Sequence, residues 1–289
     1  MTEAPPSEAI DIRDRRDRNY RRQPGLRIRT SQEAAEFVEA VGFAVPYPQE
    51  GLELPSLWEA HVGRAGAPNG WDAGVETVWT WKDELPANRW AFYGAYFRRK
   101  PSLVSLEMLK NLLAVAGPPD VRELYDSGEL SHDALRVHES LSARRPAARR
   151  ALRAAAGMTG KRGNARFQRG MRALERSLLV ARVGAAQEGP SGWPSTVYDV
   201  MAEAFPEQSE QARGIRPEAA RKAPVSRYLA TVVLAHEDRQ TLRLEGSSGP
   251  RHPGAAGKPC RHERWSGVVV LGDIEAEKAK VAWRSSRKR

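Results

Sequence analysis

The chain has 289 residues, of which 46 are basic and 36 acidic, and its formal net charge is +10. This length is enough for one large domain or two small ones, and the basicity favours a polyanionic partner. The single cysteine, Cys260, excludes an internal disulfide and indicates a reducing compartment. The first 20 residues have no apolar stretch typical of a secretory signal, and no apolar run approaches about 18 residues, so neither a signal segment nor a membrane span is predicted. We expect a cytoplasmic protein without membrane contact, and the frequent Arg and Ala are typical of a GC-rich bacterial genome.

Residues 1–29 are rich in Arg and Asp and poor in apolar side chains, which predicts a disordered basic arm. An N-terminal helical or winged-helix-like domain is predicted over residues 30–118. Its first helix begins at Thr30 and ends near Val41, because Thr30 and Glu33 have the spacing of a capping box. The other elements predicted in this domain are a short helix at 56–61, a short strand or turn at 75–86, and helices at 89–99 and 102–116.

A central winged-helix domain is predicted over residues 130–205. Its first helix is His132–Ala143, its second is opened by Pro146 at the first helical position, and its third is capped by Asn164. Two strands follow, at 179–184 and 196–199, and a Gly-, Pro- and Ser-rich loop separates them. Three helices followed by a hairpin are the pattern of a winged helix-turn-helix, in which the third helix is the reading helix.

The predicted third helix has two unlike faces. Its apolar stripe, at helical spacing, consists of Phe167, Met171, Leu174 and Leu178. Residues 144–182 contain twelve basic residues and one acidic residue, Glu175, which is a local net charge of +11. This imbalance favours a DNA-contacting surface over a merely solvated helix face, which usually mixes both signs of charge. The predicted DNA-binding residues are Lys161, Arg162, Asn164, Arg166, Arg169, Arg172, Arg176 and Arg182.

Eight of the 21 aromatic residues lie within residues 71–97. An ordinary hydrophobic core is the favoured interpretation, and a platform for a splayed base is the alternative. On a strand, Trp79 and Trp81 would share one face, which makes them the candidate base-stacking residues. Asp83 follows them and is the candidate catalytic acid, against the alternative of a surface turn or cap.

Residues 206–236 are predicted to be helical and to begin a further, truncated unit. Residues 237–289 lack periodicity and are rich in Gly, Pro and basic residues, which predicts a poorly ordered basic tail. His252, Cys260 and His262 lie in this tail without the spacing of metal ligands, so no metal site is predicted. No phosphate-binding loop or nucleophile motif is present, and no cofactor is implied.

The order of the elements resembles a known family. The run LLVARVG, a loop and then TVYDVMAEAFPE resemble the central winged helix of the AlkZ-like bacterial DNA glycosylases. The runs VWTWKDELP and KPSLVSLEMLKNLLAV are similar to the N-terminal region of that family, especially of a subgroup described only as related to it. The resemblance covers about residues 30–235. It implies a mainly α fold of tandem winged helix-turn-helix-like units with small β-wings, usually closed by a β-barrel, and excision of alkylated or cross-linked bases from DNA.

The sequence departs from that family in two places. The glycosylase motif is Gln-x-Gln or Gln-x-Asp, whereas the corresponding residues here, by rough spacing, are the apolar run 42–45. A barrel is not visible in residues 237–289. The resemblance therefore implies a repair-linked protein that binds double-stranded DNA near the nucleoid, and it leaves enzymatic activity open. The competing interpretation is a non-catalytic transcription regulator, and an RNA partner fits the charge equally well.

Overall fold

The protein is mainly helical with small antiparallel sheets, in a computed structural model that describes residues 6–97, 100–117, 120–187 and 193–232 and the strands 242–244 and 267–269. The helices are α1 (Pro6–Asn19), α2 (Ser31–Val41), α3 (Leu57–Val62), α4 (Ala73–Ala87), α5 (Leu106–Ala116), α6 (Val121–Asp126), α7 (His132–Ser142), α8 (Arg149–Ala155), α9 (Gly160–Arg176), α10 (Met201–Ala204), α11 (Pro206–Arg213) and α12 (Pro217–Val232). The strands are β1 (Phe43–Ala44), β2 (Phe92–Phe97), β3 (Lys100–Val104), β4 (Ala147–Ala148), β5 (Val180–Ala186), β6 (Ser195–Val200), β7 (Leu242–Leu244) and β8 (Gly267–Val269).

Two units repeat one order of elements. The first unit runs α2, β1, α3, α4, β2, β3, and the second runs α7, β4, α8, α9, β5, β6. In both sheets the first strand of the unit pairs with the third, and the third pairs with the second. The first sheet is extended at its β2 edge by β7 and β8. Each unit therefore places its third helix directly before a two-stranded hairpin.

The predicted capping box begins α2. The Thr30 side chain accepts a hydrogen bond from the Glu33 amide, and the Glu33 carboxylate accepts one from the Thr30 amide. Gly42 ends the helix with a positive φ of 80°, a conformation that favours glycine. The predicted short helix is also confirmed as α3, which Ser56 caps.

The segment 75–86 is a helix, so the predicted strand or turn is wrong. Asp72 caps α4 by accepting a hydrogen bond from the Val75 amide at 2.8 Å. Val75, Val78, Trp81 and Leu85 are buried. They recur at helical spacing, and the alternation of Trp79-Thr80-Trp81 is too short to override it. Trp79 and Trp81 consequently lie on different faces of α4.

The predicted helix at 89–99 is also wrong, because its centre forms β2. The run FYGAYF is aromatic-rich, which suits a pleated surface more than a helix. The predicted helix at 102–116 begins later, at Leu106, because Ser105 caps it by accepting a hydrogen bond from the Met108 amide. The residues before Ser105 belong to β3, which pairs with β2.

The N-terminal segment forms α1 and a 3-10 turn at Pro24–Leu26, where a disordered arm was predicted for residues 1–29. Asn19 Nδ2 donates to the Thr231 carbonyl oxygen at 3.0 Å, so this segment is tied to the distant α12. Tyr20 and Ile28 are buried. A few anchoring contacts of this kind offset the low hydropathy on which the prediction rested.

The second unit confirms the predicted first helix, α7, and the predicted hairpin, β5 and β6. Pro146 does not open a helix, because residues 147–148 form β4 and pair with β6. Asn164 is not a helix cap either, since α9 begins four residues earlier, at Gly160. Gly163 permits this earlier start, because a Cβ there would lie 2.4 Å from the Met158 carbonyl carbon.

After the second unit, α11 and α12 pack against α5. The Thr231 hydroxyl of α12 donates to the Val41 carbonyl oxygen at 3.0 Å. Within the described residues, no helix has both the length and the apolarity that a membrane crossing requires. The predictions for the tail at 237–289, including His252, Cys260 and His262, fall outside the described residues apart from β7 and β8.

Stability is expected to fall with decreasing pH because of His138 on α7. Burial lowers the pKa of this half-buried imidazole below its ordinary value of 6.5, against the opposing influence of Glu139 and Asp120. The unfolded chain therefore binds the proton more readily, so stability is full above about pH 6.5 and is lost as the pH falls through the folded-state pKa. His138→Gln should flatten the free energy of unfolding measured between pH 7 and pH 5; an unchanged slope would contradict this assignment.

Candidate nucleic-acid interface

Helix α9 has one buried and one exposed face, as the sequence predicts. Phe167, Met171 and Leu174 are buried, and Leu178 is buried just beyond the helix end. Gly170 allows α7 to come close, since a Cβ there would lie 3.3 Å from the Ala134 backbone. The exposed side, here called the basic face, carries Lys161, Arg162, Arg169, Arg172 and Arg176. None of these five forms an ion pair with a carboxylate in the described part of the chain.

Arg166 shares the exposed side of α9 but is already paired. Its Nε donates to Asp133 Oδ2 on α7 at 3.0 Å, and its Nη2 reaches Oδ1 of the same carboxylate. The hydrogen bond and the charge of Arg166 lower the pKa of Asp133, so the carboxylate stays ionised well below neutral pH. Arg166 is therefore held against the protein surface, unlike the cations of the basic face.

We expect Asp133→Asn to strengthen DNA binding. The substitution releases Arg166 for a phosphate, so the slope of log affinity against log salt should steepen by about 0.9. Glu139→Gln is the matched control: it removes one carboxylate from the same helix, but that carboxylate pairs with Arg122 of α6 at 2.8 Å. Equal gains in both variants, measured by fluorescence anisotropy, would show a general charge effect and contradict the specific release of Arg166.

Asn164 and Arg182 do not lie on the basic face. The Asn164 side chain accepts a hydrogen bond from Arg153 Nη1 at 3.1 Å, which joins α8 to α9. Arg182 is half-buried on β5, and its guanidinium pairs with Glu175 of α9 at 2.9 Å. Burial opposes the charged form of Arg182, but Glu175, Tyr198 and Tyr93 together outweigh it and raise the pKa of the guanidinium. Both side chains therefore connect α9 to neighbouring elements, Asn164 to α8 and Arg182 to β5.

The Glu175–Arg182 pair connects the end of α9 to the first unit. The Arg182 guanidinium carbon lies 5.5 Å from the centre of the Tyr93 ring on β2. Tyr96, three residues further along β2, donates its hydroxyl to the Glu175 carbonyl oxygen. Burial raises the pKa of Tyr96 well above 10, which keeps this hydroxyl a donor. The basic face and β2 are thus fixed relative to each other.

A cleft of about 530 Å³ lies where α4 of the first unit meets the β5–β6 hairpin of the second. This volume falls within the range of about 300–1,000 Å³ typical of small-molecule sites. The polar and aromatic side chains that line it include Tyr47, Gln49, Trp79, Asp83, Arg182 and Trp193. The cleft therefore collects residues from both units, and Arg182 joins its wall to α9.

Asp83 lies in this cleft and not on a surface turn. Its carboxylate oxygen Oδ2 is 2.7 Å from Nζ of Lys82. Tyr47 lines the same cleft, and burial, with smaller contributions from Tyr93, Asp72 and Asp83, raises its pKa to about 12. The Tyr47 hydroxyl donates to the Val75 carbonyl oxygen at 2.8 Å. The cleft thus holds one carboxylate among cationic, amide and phenolic groups.

The two predicted stacking residues have different environments. Trp81 is only 5% exposed and packs against His61, with ring centres 5.1 Å apart, so it belongs to the core. Trp79 is 37% exposed and lies at the cleft. Trp193, which lies between β5 and β6, was not predicted as a residue of the cleft. A lone tryptophan in the Gly-, Pro- and Ser-rich run AAQEGPSGWPS is the signal that would have found it.

The residues expected, by rough spacing, to correspond to the glycosylase motif are apolar and buried. Phe43, Ala44 and Val45 have no exposed surface, and Phe43 packs edge-on against Phe97 at 4.9 Å. They therefore contribute to the core around β1 and present no polar side chain to the cleft.

The fold and site define a class of protein with two repeated helix–strand–helix–helix–hairpin units, a basic helix and an aromatic cleft between the units. A comparison with known protein families matches residues 28–243 to the family described as AlkZ related. The chain belongs to the AlkZ-related family, which connects it to DNA glycosylase-like proteins and to DNA as a partner. Comparisons with curated proteins and with solved structures gave no match.

Proposed function

We propose that this protein binds double-stranded DNA through the basic face of α9, as a winged-helix protein of the DNA-repair, glycosylase-like class. The observation that carries the proposal is the set of five cations on the exposed side of α9, which form no ion pair within the described residues. Such cations bind phosphates by releasing counterions from the DNA, which supplies most of the affinity of sequence-independent binding.

The order of elements supports the winged-helix part of the proposal. In each unit the third helix precedes the hairpin, which is where a winged helix-turn-helix carries its reading helix and wing. The two third helices differ in what surrounds them. The end of α4 meets β5, since a Cβ at Gly184 would lie 3.2 Å from the Cβ of Ala87. Among the residues that the structure describes, no such element packs on the exposed side of α9, so α9 is the helix proposed to enter the groove.

A transcription regulator is the competing function, and sequence preference separates the two. Labelled duplexes of random sequence and a selected pool from the same library are titrated with the protein under identical salt. A repair-type protein should bind all of them within a few-fold. A regulator should prefer one sequence by about 10³ or more. Duplex RNA of matched sequence belongs in the same titration, because tighter binding to RNA would overturn the choice of DNA.

We further propose Asp83 as the carboxylate that acts if the bound DNA undergoes base excision. Hydrolysis of an N-glycosidic bond needs a polar group that orients water and stabilises an oxocarbenium-like state, a role that a buried Phe43 or Val45 cannot fill. Asp83 has the chemistry for this role and lines a cleft that is large enough for a base. Nζ of Lys82 lies 2.7 Å from the Asp83 carboxylate oxygen Oδ2.

The test of catalysis is a single-turnover assay with protein in excess over alkylated duplex DNA at low salt, scored by abasic sites. For an active protein, Asp83→Asn should reduce the rate by about 10²–10⁴ while DNA binding stays unchanged. Glu76→Gln, on the exposed side of the same helix, is the matched control. Equal rates for Asp83→Asn and the wild type would rule out Asp83 as the carboxylate that acts in base excision. If no abasic sites form while the duplex is bound in the same tube, the protein binds DNA or its lesions without hydrolysing the N-glycosidic bond.

A further inference from the structure

The exposed aromatic surface of the described residues is concentrated at one place. Four large hydrophobic side chains are exposed among the described residues, and three of them are the tryptophans Trp71, Trp79 and Trp193, at 60%, 37% and 78% exposure. They form a row: the ring centres of Trp71 and Trp79 are 5.7 Å apart, and those of Trp79 and Trp193 are 5.9 Å apart. Exposed aromatic patches of this kind mark binding surfaces, because their contact with water is unfavourable.

The row has the electrostatics of a nucleic-acid site. Nζ of Lys82 lies 4.0 Å from the centre of the Trp79 ring, which places a cation beside the aromatic surface. Arg182 lines the same cleft and is joined through Glu175 to the last turn of α9. The cleft that contains Trp79 and Trp193 is therefore connected through Arg182 and Glu175 to the helix that carries the basic face. Proteins that hold unstacked bases combine these two features, a cationic groove and aromatic rings.

The row also joins the two units. Trp71 lies just before Asp72, the cap of α4, and Trp79 lies in the middle of that helix, whereas Trp193 comes from the hairpin that follows α9. The Trp79 and Trp193 rings meet edge to face, with an interplanar angle of 68°, so they lie in different planes. Most of the Trp193 ring surface faces solvent. The exposed ring of Trp193 therefore offers a flat apolar face on which another flat, neutral π-system can stack.

We infer that the row formed by Trp71, Trp79 and Trp193 is a platform that stacks one unstacked base of the DNA bound by α9. This inference rests on the proposed function. It names the preferred ligand as DNA in which a base has already left the helix, such as a bulge or a destabilised pair, because such DNA costs less unstacking energy. Each stacked base should strengthen binding by about five- to a hundredfold.

The test uses two duplexes that differ only by one unpaired 2-aminopurine, whose fluorescence falls when it stacks on an aromatic ring. Wild-type protein should bind the bulged duplex about tenfold more tightly than the matched one and should quench the probe. Trp193→Ala and Trp79→Ala should each remove most of the preference and of the quenching, and leave the affinity for matched duplex within about twofold. Trp193→Phe should retain the preference because it keeps a ring.

The control variant is Leu26→Ala, which truncates the remaining exposed large hydrophobic side chain, at 38% exposure, outside the row. Matched duplex bound by the wild type with no preference for the bulge would overturn the platform and leave the proposed function intact. A preference that survives in both tryptophan-to-alanine variants would also overturn it. Failure to bind either duplex would overturn the proposed function itself, and the platform with it.

Discussion

Replacing Arg169, Arg172 and Arg176 together with Gln should weaken DNA binding by about 10²–10³-fold at 0.1 M salt. All three are exposed on α9. Each phosphate contact contributes about 0.9 to the slope of log affinity against log salt, so three lost contacts should flatten the slope by about 2.7. At 0.1 M salt a slope difference of that size corresponds to a loss within the stated range. Glutamine keeps the helix propensity close to that of arginine, so α9 should remain folded.

The matched control removes the same charge from another surface. Arg213, Arg216 and Arg221 are exposed on and between α11 and α12. Their triple replacement by Gln should change the affinity by less than about tenfold and leave the salt slope nearly unchanged. Isothermal titration or anisotropy at three salt concentrations measures both quantities. An equal loss in the two triple variants would mean that overall charge, and not α9, carries the binding.

Phe167→Ala should lower the free energy of unfolding by about 3–5 kcal/mol, because it empties the centre of the second unit's core. Phe167 has no exposed surface, and it packs with the buried side chains of α7 and β6. The Arg149 guanidinium also lies over its ring, at 5.3 Å. For a chain of this size the expected fall in Tm is roughly 10 °C. DNA binding should be lost over the same temperature interval, since α9 depends on this contact for its position.

The neighbouring residue provides the control for this substitution. Gln168 is exposed on the same turn of α9, and Gln168→Ala should change stability by no more than about 0.5 kcal/mol. Urea denaturation followed by circular dichroism gives both values. A loss below about 1 kcal/mol for Phe167→Ala would show that α9 is not docked through this ring.

The sequence predicts the second unit better than the first for a physical reason. In α9 the apolar stripe from Phe167 to Leu174 recurs over several turns, and the opposite side is almost purely basic, so periodicity identifies the helix and its faces. The hairpin is equally clear, because two alternating runs flank a Gly- and Pro-rich loop. The two wrong predictions, at Pro146 and Asn164, concern element ends, where a two-residue strand pairing and a permissive glycine decide the boundary.

In the first unit, local signals conflicted with the tertiary structure. The run Trp79-Thr80-Trp81 alternates like a strand, but the cap at Asp72 and the buried stripe through Leu85 make it helical. That change of geometry separates the two tryptophans and leaves only Trp79 at the cleft. The strand Phe92–Phe97 was mistaken for a helix because its aromatic side chains are buried almost throughout, and alternation is then no longer visible.

The cleft itself could not be predicted from the sequence, because it is formed between the two units. Asp83 and Trp193 are 110 positions apart in the chain, and no local pattern relates them. Arg182 shows the same limit: its charge is visible in the sequence, but its ion pair with Glu175 and its half-buried position depend on how β5 meets α9. The charge pattern therefore identified the basic face, while the fold was needed to find the cleft beside it.

The central claim is that cations on α9 bind the phosphates of duplex DNA, and a salt titration of the wild-type protein with a short duplex of random sequence tests it most directly. With about six to ten phosphate contacts, the affinity should fall by about 10³–10⁵ between about 50 and 200 mM salt. The logarithm of the affinity should fall linearly with the logarithm of the salt concentration. An affinity that stays constant over this range, or no binding at the lowest salt, would contradict the claim.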